Sequence, residues 1–313
     1  MKVLSLFDGM SCGQIALKRL GIQSEKYYAS EIDKHAIRQT QLNFPDTIQL
    51  GDVTQIDVHQ LDSIDLLIGG SPCQSFSFAG KRAGMSTIDK REIHTLEHYL
   101  ELKHEGFLFE GESYLFWEYM RILTDIRKYN PDVLFLLENV EMGKKWERVL
   151  SEAIGIFGVH INSALVSAQN RTRIYWTNIR TKNIGLFGEL HSDIPQPKDR
   201  EIYLRNIVED EVDKKYYLSE KMLGWLKRHG EKRNTGMNVL GNNDKSHCLM
   251  AKPKETLPRT MSAWPCVAVR PVLLPEGQST ANRYARHTKR EKSPNPEKIS
   301  NNLNPGLTAR QTA

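Results

Sequence analysis

The sequence predicts an α/β fold: a mostly parallel sheet over residues 1–190, then a smaller, irregular region over 191–313. Three observations carry this expectation. Short apolar runs alternate with segments of helical spacing through the first 180 residues, the pattern of strand–helix–strand units. Small-residue turns follow the apolar runs, as at Asp8-Gly9-Met10-Ser11-Cys12-Gly13 and Gly69-Gly70-Ser71-Pro72. Beyond about residue 190 the alternation gives way to Asn, Pro, Thr and Lys with short apolar runs, after a linker marked by Pro195 and Pro197.

In chain order, Lys2 to Phe7 reads as a strand, the turn at residues 8–13 follows, and a helix runs from about Gln14 to Leu20. A second strand, Lys26 to Ala29, leads to the acidic residues Glu31 and Asp33. The next helix has Ala36, Ile37 and Thr40 on one side and stops near Pro45, as a proline requires. Further strands are expected at 47–50, 65–68, 133–137, 161–166 and 173–179, with helices over 116–128 and 144–154. Between Ser86 and Ser113 a charged, His-rich segment reads as an insertion holding a short helix at Thr95–Lys103, in a position that suits a mobile lid, with an ordinary surface insertion as the default. Past the linker, Ser219 is placed to cap a short helix ending near His229-Gly230. Lys254–Pro258 and Asn304–Ala309 resemble each other faintly, as paired β elements would.

Composition narrows the class. Of the 313 residues, 39% are hydrophobic and 26% charged, as in soluble globular proteins. No apolar run approaches the ~18 residues of a membrane span and no signal-peptide pattern opens the chain, so no membrane partner is expected. The four cysteines, Cys12, Cys73, Cys248 and Cys266, form no C-x-x-C pair, which argues against a disulfide framework and a metal site and for a reducing, cytoplasmic setting. Net charge is +5, and residues 281–313 alone hold seven Lys and Arg against two Glu. A basic end rich in Pro and Asn suits phosphate contacts as well as it suits a solvated tail.

Four constellations carry chemistry. The turn Phe7-x-Gly9-x-Ser11-x-Gly13 lets a ligand approach the backbone, yet it lacks the G-x-G-x-x-G spacing of a dinucleotide turn. Glu31 ends the second strand, where a carboxylate holds ribose hydroxyls, and Asp52 follows the third, where one can accept from an adenine amine. Together they describe a pocket for an adenosyl group without a pyrophosphate. Cys73, in Ser71-Pro72-Cys73-Gln74, sits on a turn at the carboxyl end of a buried strand, the edge where open α/β sheets bind ligands. Leu134–Leu137 delivers Glu138 to the same edge, with a raised pKa expected from burial. Arg171 and Arg173, one residue apart, point to one side and cannot be deprotonated, which favours anion or carbonyl recognition.

Phe7–Gly13, Gly70-Ser71-Pro72-Cys73-Gln74-Ser75-Phe76-Ser77, Glu138-Asn139-Val140 and Gln169-Asn170-Arg171-Thr172-Arg173, in this order and spacing, resemble the motifs of DNA cytosine-5 methyltransferases. The helix at 95–103 and Lys214–Ser219 are similar to the phage and prophage branch, and the resemblance implies a restriction-modification or host-protective setting. The resemblance implies a Rossmann-like class I methyltransferase sheet over 1–190 and a partial target-recognition region over 191–313. It implies S-adenosyl-L-methionine as cofactor, held by Phe7, Asp8, Gly9, Ser11, Cys12, Gly13, Glu31, Ile32, Asp52, Val53, Pro72 and Leu115. It gives Cys73 the attack on cytosine C6, Glu138 the N3 edge and exocyclic amine, Arg173 the O2 oxygen, and Arg171 support of the loop. Residues 78–112 would then close over a cytosine flipped out of double-stranded DNA, with Ser77 near the backbone.

The family's closing segments, a Gly-Phe-Pro stretch and a Gly-Asn-(Ser/Ala)-Val helix that returns to the cofactor, have no counterpart here. The expectation is a truncated, split or naturally short chain, and a second chain or fragment supplying those motifs is an implied partner. Three functions stay open: a DNA cytosine-5 methyltransferase, a non-catalytic or split-subunit DNA-binding homologue, and an RNA cytosine-5 methyltransferase of the same family. The recognition sequence has no readable code.

Overall fold

The computed structural model describes residues 1–76, 84–186 and 188–209, with shorter stretches between 213 and 267, of which 239–247 is the longest. The chain divides into two compact units, one of Met1–Leu165 with Arg171–Asp199 and one of Val166–Asn170 with Arg200–Ala313.

The first unit follows the expected alternation closely: β1 (Lys2–Leu6), α1 (Cys12–Arg19), β2 (Lys26–Ser30), α2 (Lys34–Asn43), β3 (Ile48–Gln49), β4 (Leu66–Gly69), α3 (Leu96–His104), α4 (Phe116–Arg127), β5 (Leu134–Val140), α5 (Lys144–Ile154), β6 (Val159–Asn162) and β7 (Thr172–Thr177), then a hairpin of β8 (Thr181–Ile184) and β9 (Glu189–Ser192). Seven strands form one sheet in the order β3-β2-β1-β4-β5-β7-β6. The first five are mutually parallel, and β7 runs antiparallel between β5 and β6.

Side chains alternate across the strands and both faces are covered. Leu4, Leu6, Tyr28, Leu67, Phe135 and Leu137 join one core cluster with α4 and with Trp146, Leu150 and Ile154 of α5. Val3, Tyr27, Ala29 and Leu66 point the other way and pack with Leu17 of α1. A fully buried leucine contributes roughly 1.5–3 kcal/mol, whereas an exposed pair such as Arg148–Glu152 is screened by solvent and adds little. Burial, and not surface charge, holds the sheet.

Three local details depart from the sequence-based expectation. β5 runs on through Glu138 and Asn139 to Val140, so Glu138 lies within the strand, opposite Tyr175, and does not follow its end. The strand expected at 161–166 is shifted to Val159–Asn162. There Asn162 Oδ1 accepts from the amides of Ala164 and Arg171 and turns the chain into a 3-10 segment. The insertion, over its described residues 84–112, is packed against the body and does not stand free of it. Met85, Ile93, Tyr99 and Leu102 are buried, and Phe109 stacks on Tyr114 with the Tyr99 ring tilted against both. Ser77 and residues 78–83 lie outside the described residues.

In the second unit, Gln169–Asn170 pairs in parallel with Ser246–His247 and Val239–Leu240 with Cys266–Val267. Ala168, Leu204 and Leu240 form a small core with Ile202 against it. The expected helix cap at Ser219, the Lys214–Ser219 run and the two repeat-like segments fall largely or wholly outside the described residues.

Candidate active site

Cys73 lies four residues past β4, half-buried, on a loop tied down from three sides. Asn139, fully buried in β5, donates from Nδ2 to Ser71 Oγ at 3.0 Å and to the Ser71 carbonyl at 3.3 Å. The Phe76 amide donates to the Cys73 carbonyl at 3.0 Å, closing the turn. The Ser75 amide donates to Ser113 Oγ at 3.1 Å, and Gln74 Nε2 reaches Glu112 Oε2 at 3.2 Å. Gly70 lets Glu138 approach closely: a Cβ there would stand 3.2 Å from Glu138 Oε2.

β5 and β7 bring the charges. Arg173 Nε meets Glu138 Oε1 at 2.9 Å, and Arg173 Nη1 also donates to the Thr172 carbonyl at 2.8 Å. Arg171 is exposed, and its backbone is fixed by a 2.9 Å bond from its amide to Asn162 Oδ1. Burial pushes the Glu138 carboxyl above its ordinary value while Arg173 and Arg171 pull it down. Burial likewise raises the Cys73 thiol, Arg173 and Arg171 oppose that rise, and Glu138 adds to it. A thiol, a carboxylate and two guanidinium groups thus share one electrostatic neighbourhood at the carboxyl ends of β4 and β5.

The second half of the site lies beyond β1 and β2. Phe7, Gly9 and Ser11 all adopt left-handed backbone, with φ of 57°, 59° and 61°. Such a conformation strains Phe7 and Ser11, and it coils residues 7–11 into a compact turn before α1. Glu31 holds this turn: its Oε2 accepts from the Gly9 amide at 2.8 Å, while Oε1 accepts from Ile32 and Asp33. Ser11 is buried, its Oγ taking a bond from Gln14, and Thr40 Oγ1 donates to the Gly9 carbonyl. Gly13 admits α1 to the sheet, since a Cβ there would lie 2.3 Å from Ile68 Cδ1. Asp8 Oδ1 accepts from Tyr27 at 2.9 Å, but its Oδ2 is buried without a hydrogen-bond partner. A buried carboxylate oxygen in that state calls for a donor, so a ligand carrying an ammonium or hydroxyl group fits this turn.

Asp52 is exposed and caps a 3-10 turn, accepting from Thr54 N at 2.9 Å. Ile32 is 75% exposed beside Glu31, and Cys12 is exposed at the first turn of α1. Pro72 and Leu115 are half-buried at the rim, and Phe7, Cys73 and Leu115 pack against the main core. The Val53 side chain is buried in the core, and its carbonyl accepts from the Ile56 amide and from Arg121 Nη2. The fold therefore gathers Cys73, Glu138, Arg171 and Arg173 at one place and the residue 7–13 turn with Glu31 at another part of the same sheet edge. Sequence reasoning placed Gly70 in a turn and Asn139 in a motif, without the contacts they make here, and gave Ser113 no task. For Asn139, polarity inside an otherwise apolar strand was a second signal. Among the described residues there is no cluster of metal-ligating side chains, and no helix is long and apolar enough to cross a membrane.

A parallel sheet with an antiparallel strand inserted between β5 and β6, and a thiol loop at its carboxyl edge, defines a Rossmann-like methyltransferase fold. The solved S. pombe Dnmt2 methyltransferase shares it, with a TM-score of 0.56 at 17% identity over 92% of this chain and 80% of that one. The chain belongs to the C-5 cytosine-specific DNA methylase family, whose model matches residues 1–313. It is 32% identical over 252 residues to the type II methyltransferase M1.ScrFI of Lactococcus lactis subsp. cremoris, covering 75% of this chain and 56% of the relative. It is 29% identical over 269 residues to the orphan methyltransferase M.Rho11sI of Bacillus phage rho11s, covering 74% and 48%. The chain spans about half the length of these curated relatives.

Proposed function

We propose that this protein methylates C5 of cytosine in double-stranded DNA, with S-adenosyl-L-methionine as methyl donor and Cys73 as nucleophile. The observation that carries the reading is the convergence of Cys73, on its pinned loop, with the Glu138–Arg173 ion pair. Cytosine C6 is hidden in a duplex, so the base must leave the stack to reach a loop of this kind. The Cys73 thiol gives its proton to solvent and the thiolate sulfur bonds to C6, moving the ring π electrons toward C5. Glu138, its acidity weakened by burial, supplies and holds a proton at N3, which stabilises that electron shift. Arg173 polarises O2 and Arg171 supports the loop. When bound, S-adenosylmethionine would supply an electrophilic methyl group on a sulfonium and would leave as the neutral thioether S-adenosylhomocysteine. After C5 has gained the methyl group, a water molecule takes the C5 proton, the C5–C6 double bond re-forms as the Cys73 thiolate is expelled, and N3 returns its proton to Glu138.

The adenosyl group would be held by Glu31 and the turn at Phe7, Asp8, Gly9, Ser11, Cys12 and Gly13. Ile32, Asp52, the Val53 backbone, Pro72 and Leu115 would complete its surroundings. The unpartnered Asp8 Oδ2 supports this assignment. The test is transfer of labelled methyl to cytosine duplexes, with and without a C-terminal fragment of a longer relative. Cys73→Ser is expected to abolish transfer, and duplexes carrying 5-fluorocytosine to trap the wild type covalently. Methylation without such an adduct would remove Cys73 from its role, and transfer to RNA alone would overturn the substrate.

A further inference from the structure

Helix α4 contains a carboxylate that the chemistry above does not use. Glu118 is fully buried, and each of its oxygens is bonded. Oε1 accepts from Tyr99 OH and from Lys103 Nζ, both at 2.5 Å and both from α3 of the insertion, while Oε2 accepts from Arg121 Nε at 2.7 Å. A carboxylate placed so deep persists only because it is paired and hydrogen-bonded. The rest of the Arg121 guanidinium faces away from Glu118. Nη1 donates to the Ile56 carbonyl at 3.1 Å and Nη2 to the Val53 carbonyl at 3.3 Å. Those two carbonyls bracket the 3-10 turn Val53–Gln55, whose cap is Asp52.

We propose that Arg121, oriented by Glu118, is a positioning residue for the adenosyl group. It fixes the turn that presents Asp52 and the Val53 backbone at the sheet edge. This rests on the S-adenosylmethionine reading given above. Only arginine offers donors arranged to bond a carboxylate on one edge and two carbonyls on the other. A lysine at 121 keeps the charge opposite Glu118 but cannot grip both carbonyls. Asp52 is exposed and has no core packing of its own, so the turn beneath it decides where its carboxylate stands. The insertion enters the same network through Tyr99 and Lys103. Its neck also holds the Cys73 loop through Glu112 and Ser113. Glu118 is therefore a node between the loop bearing the thiol and the turn bearing Asp52.

The experiment measures binding of S-adenosylhomocysteine to the full chain by calorimetry, together with amide hydrogen exchange over residues 53–56 in the ligand-free protein. Arg121→Lys is expected to weaken binding about ten-fold, to speed exchange at 55 and 56, and to raise KM for the methyl donor with kcat nearly unchanged. Lys103→Met, which removes a Glu118 partner but leaves the Arg121 grip, is expected to bind as the wild type does. Should Arg121→Lys not fold, Glu118→Gln takes its place, with the same direction of change in affinity and exchange. Equal affinity in the Arg121 variant and the wild type overturns the inference, and so does an equal loss in Lys103→Met, which would mark the network as generally structural. A wild type that binds no S-adenosylhomocysteine overturns the cofactor reading and this inference with it.

Discussion

Glu138 and Arg173 face each other diagonally across the antiparallel pair β5 and β7, Arg173 standing two residues from Tyr175, the direct partner of Glu138. Diagonal neighbours on one face of such a pair are within reach of long side chains, and here they close to 2.9 Å. The two charges act on Cys73 with opposite sign, Arg173 favouring the thiolate and Glu138 the thiol.

That opposition makes the thiol's reactivity a readout of the pair. Burial already holds Cys73 above the ordinary 9.0. Removing Arg173 as Arg173→Met deletes the larger of the two favourable charges and leaves Glu138 opposed by Arg171 alone, so alkylation of Cys73 by iodoacetamide becomes slower at any fixed pH and its profile moves to higher pH. Mass spectrometry of the Cys73 peptide across neutral to alkaline pH checks this; an unchanged or acid-shifted profile contradicts it. The same shift has a stability counterpart. A pKa raised by folding gives a contribution that is full below the unfolded value and is lost as pH rises through the folded one. Wild type is therefore expected to lose more stability than Cys73→Ser as pH climbs past 9.0.

Asn139→Ala tests how the loop is held. The substitution leaves Ser71 Oγ and its carbonyl without their donor and the Val140 amide without the Asn139 Oδ1 acceptor. Unsatisfied groups in a buried site cost about 1–3 kcal/mol. The expected outcome is a lowered melting temperature together with reduced methyl transfer. A variant as stable and active as the wild type would show that the Cys73 loop does not depend on this anchor.

The sheet was legible in the sequence because its strands are apolar on both faces and are separated by glycine, proline and capped helix starts. Asp33, for example, accepts from the amides of His35 and Ala36 at the head of α2, where the chain turns after Glu31. Cys73, Glu138 and Arg173 were legible as well, since each ends or flanks an apolar run. Less visible was what depends on pairing between distant strands. The register of β7 against β5 sets the Glu138–Arg173 contact, and no local pattern encodes it. Glu118 was hidden for a different reason: on a helix of helical spacing a single acid reads as a solvated position, and only the docking of α3 makes it buried. Val53 was expected at the ligand surface, but its side chain belongs to the core.

Gly70→Ala probes the placement of Glu138 without altering its chemistry. The added methyl would stand 3.2 Å from Oε2, so the carboxylate must give by a few tenths of an ångström. A misplacement of about 1 Å can cost roughly 10²-fold in rate, so a smaller shift predicts a smaller fall, about ten-fold in kcat. DNA affinity and melting temperature are expected to stay close to those of the wild type, because Gly70 has no left-handed φ to lose. A kcat equal to that of the wild type would show that Glu138 has slack in its position.

The basic end of the chain gives the last prediction. Residues 281–313, outside the described residues, hold Arg283, Arg286, Lys289, Arg290, Lys292, Lys298 and Arg310 against Glu291 and Glu297, a local net charge equal to the +5 of the whole chain. If DNA is the substrate, side chains from this segment that touch phosphates release counterions, and affinity falls as salt rises. Contacts from about four of the seven would give a slope of log K against log salt of roughly −3.6. Deleting 281–313 is expected to flatten that slope and weaken binding to all sequences alike, because phosphate contacts position a protein without specifying bases. Fluorescence anisotropy on two unrelated duplexes across a salt series measures both effects. A deletion that leaves slope and affinity unchanged would show the segment to be a solvated tail, and the affinity for DNA would then have to come from residues 1–280.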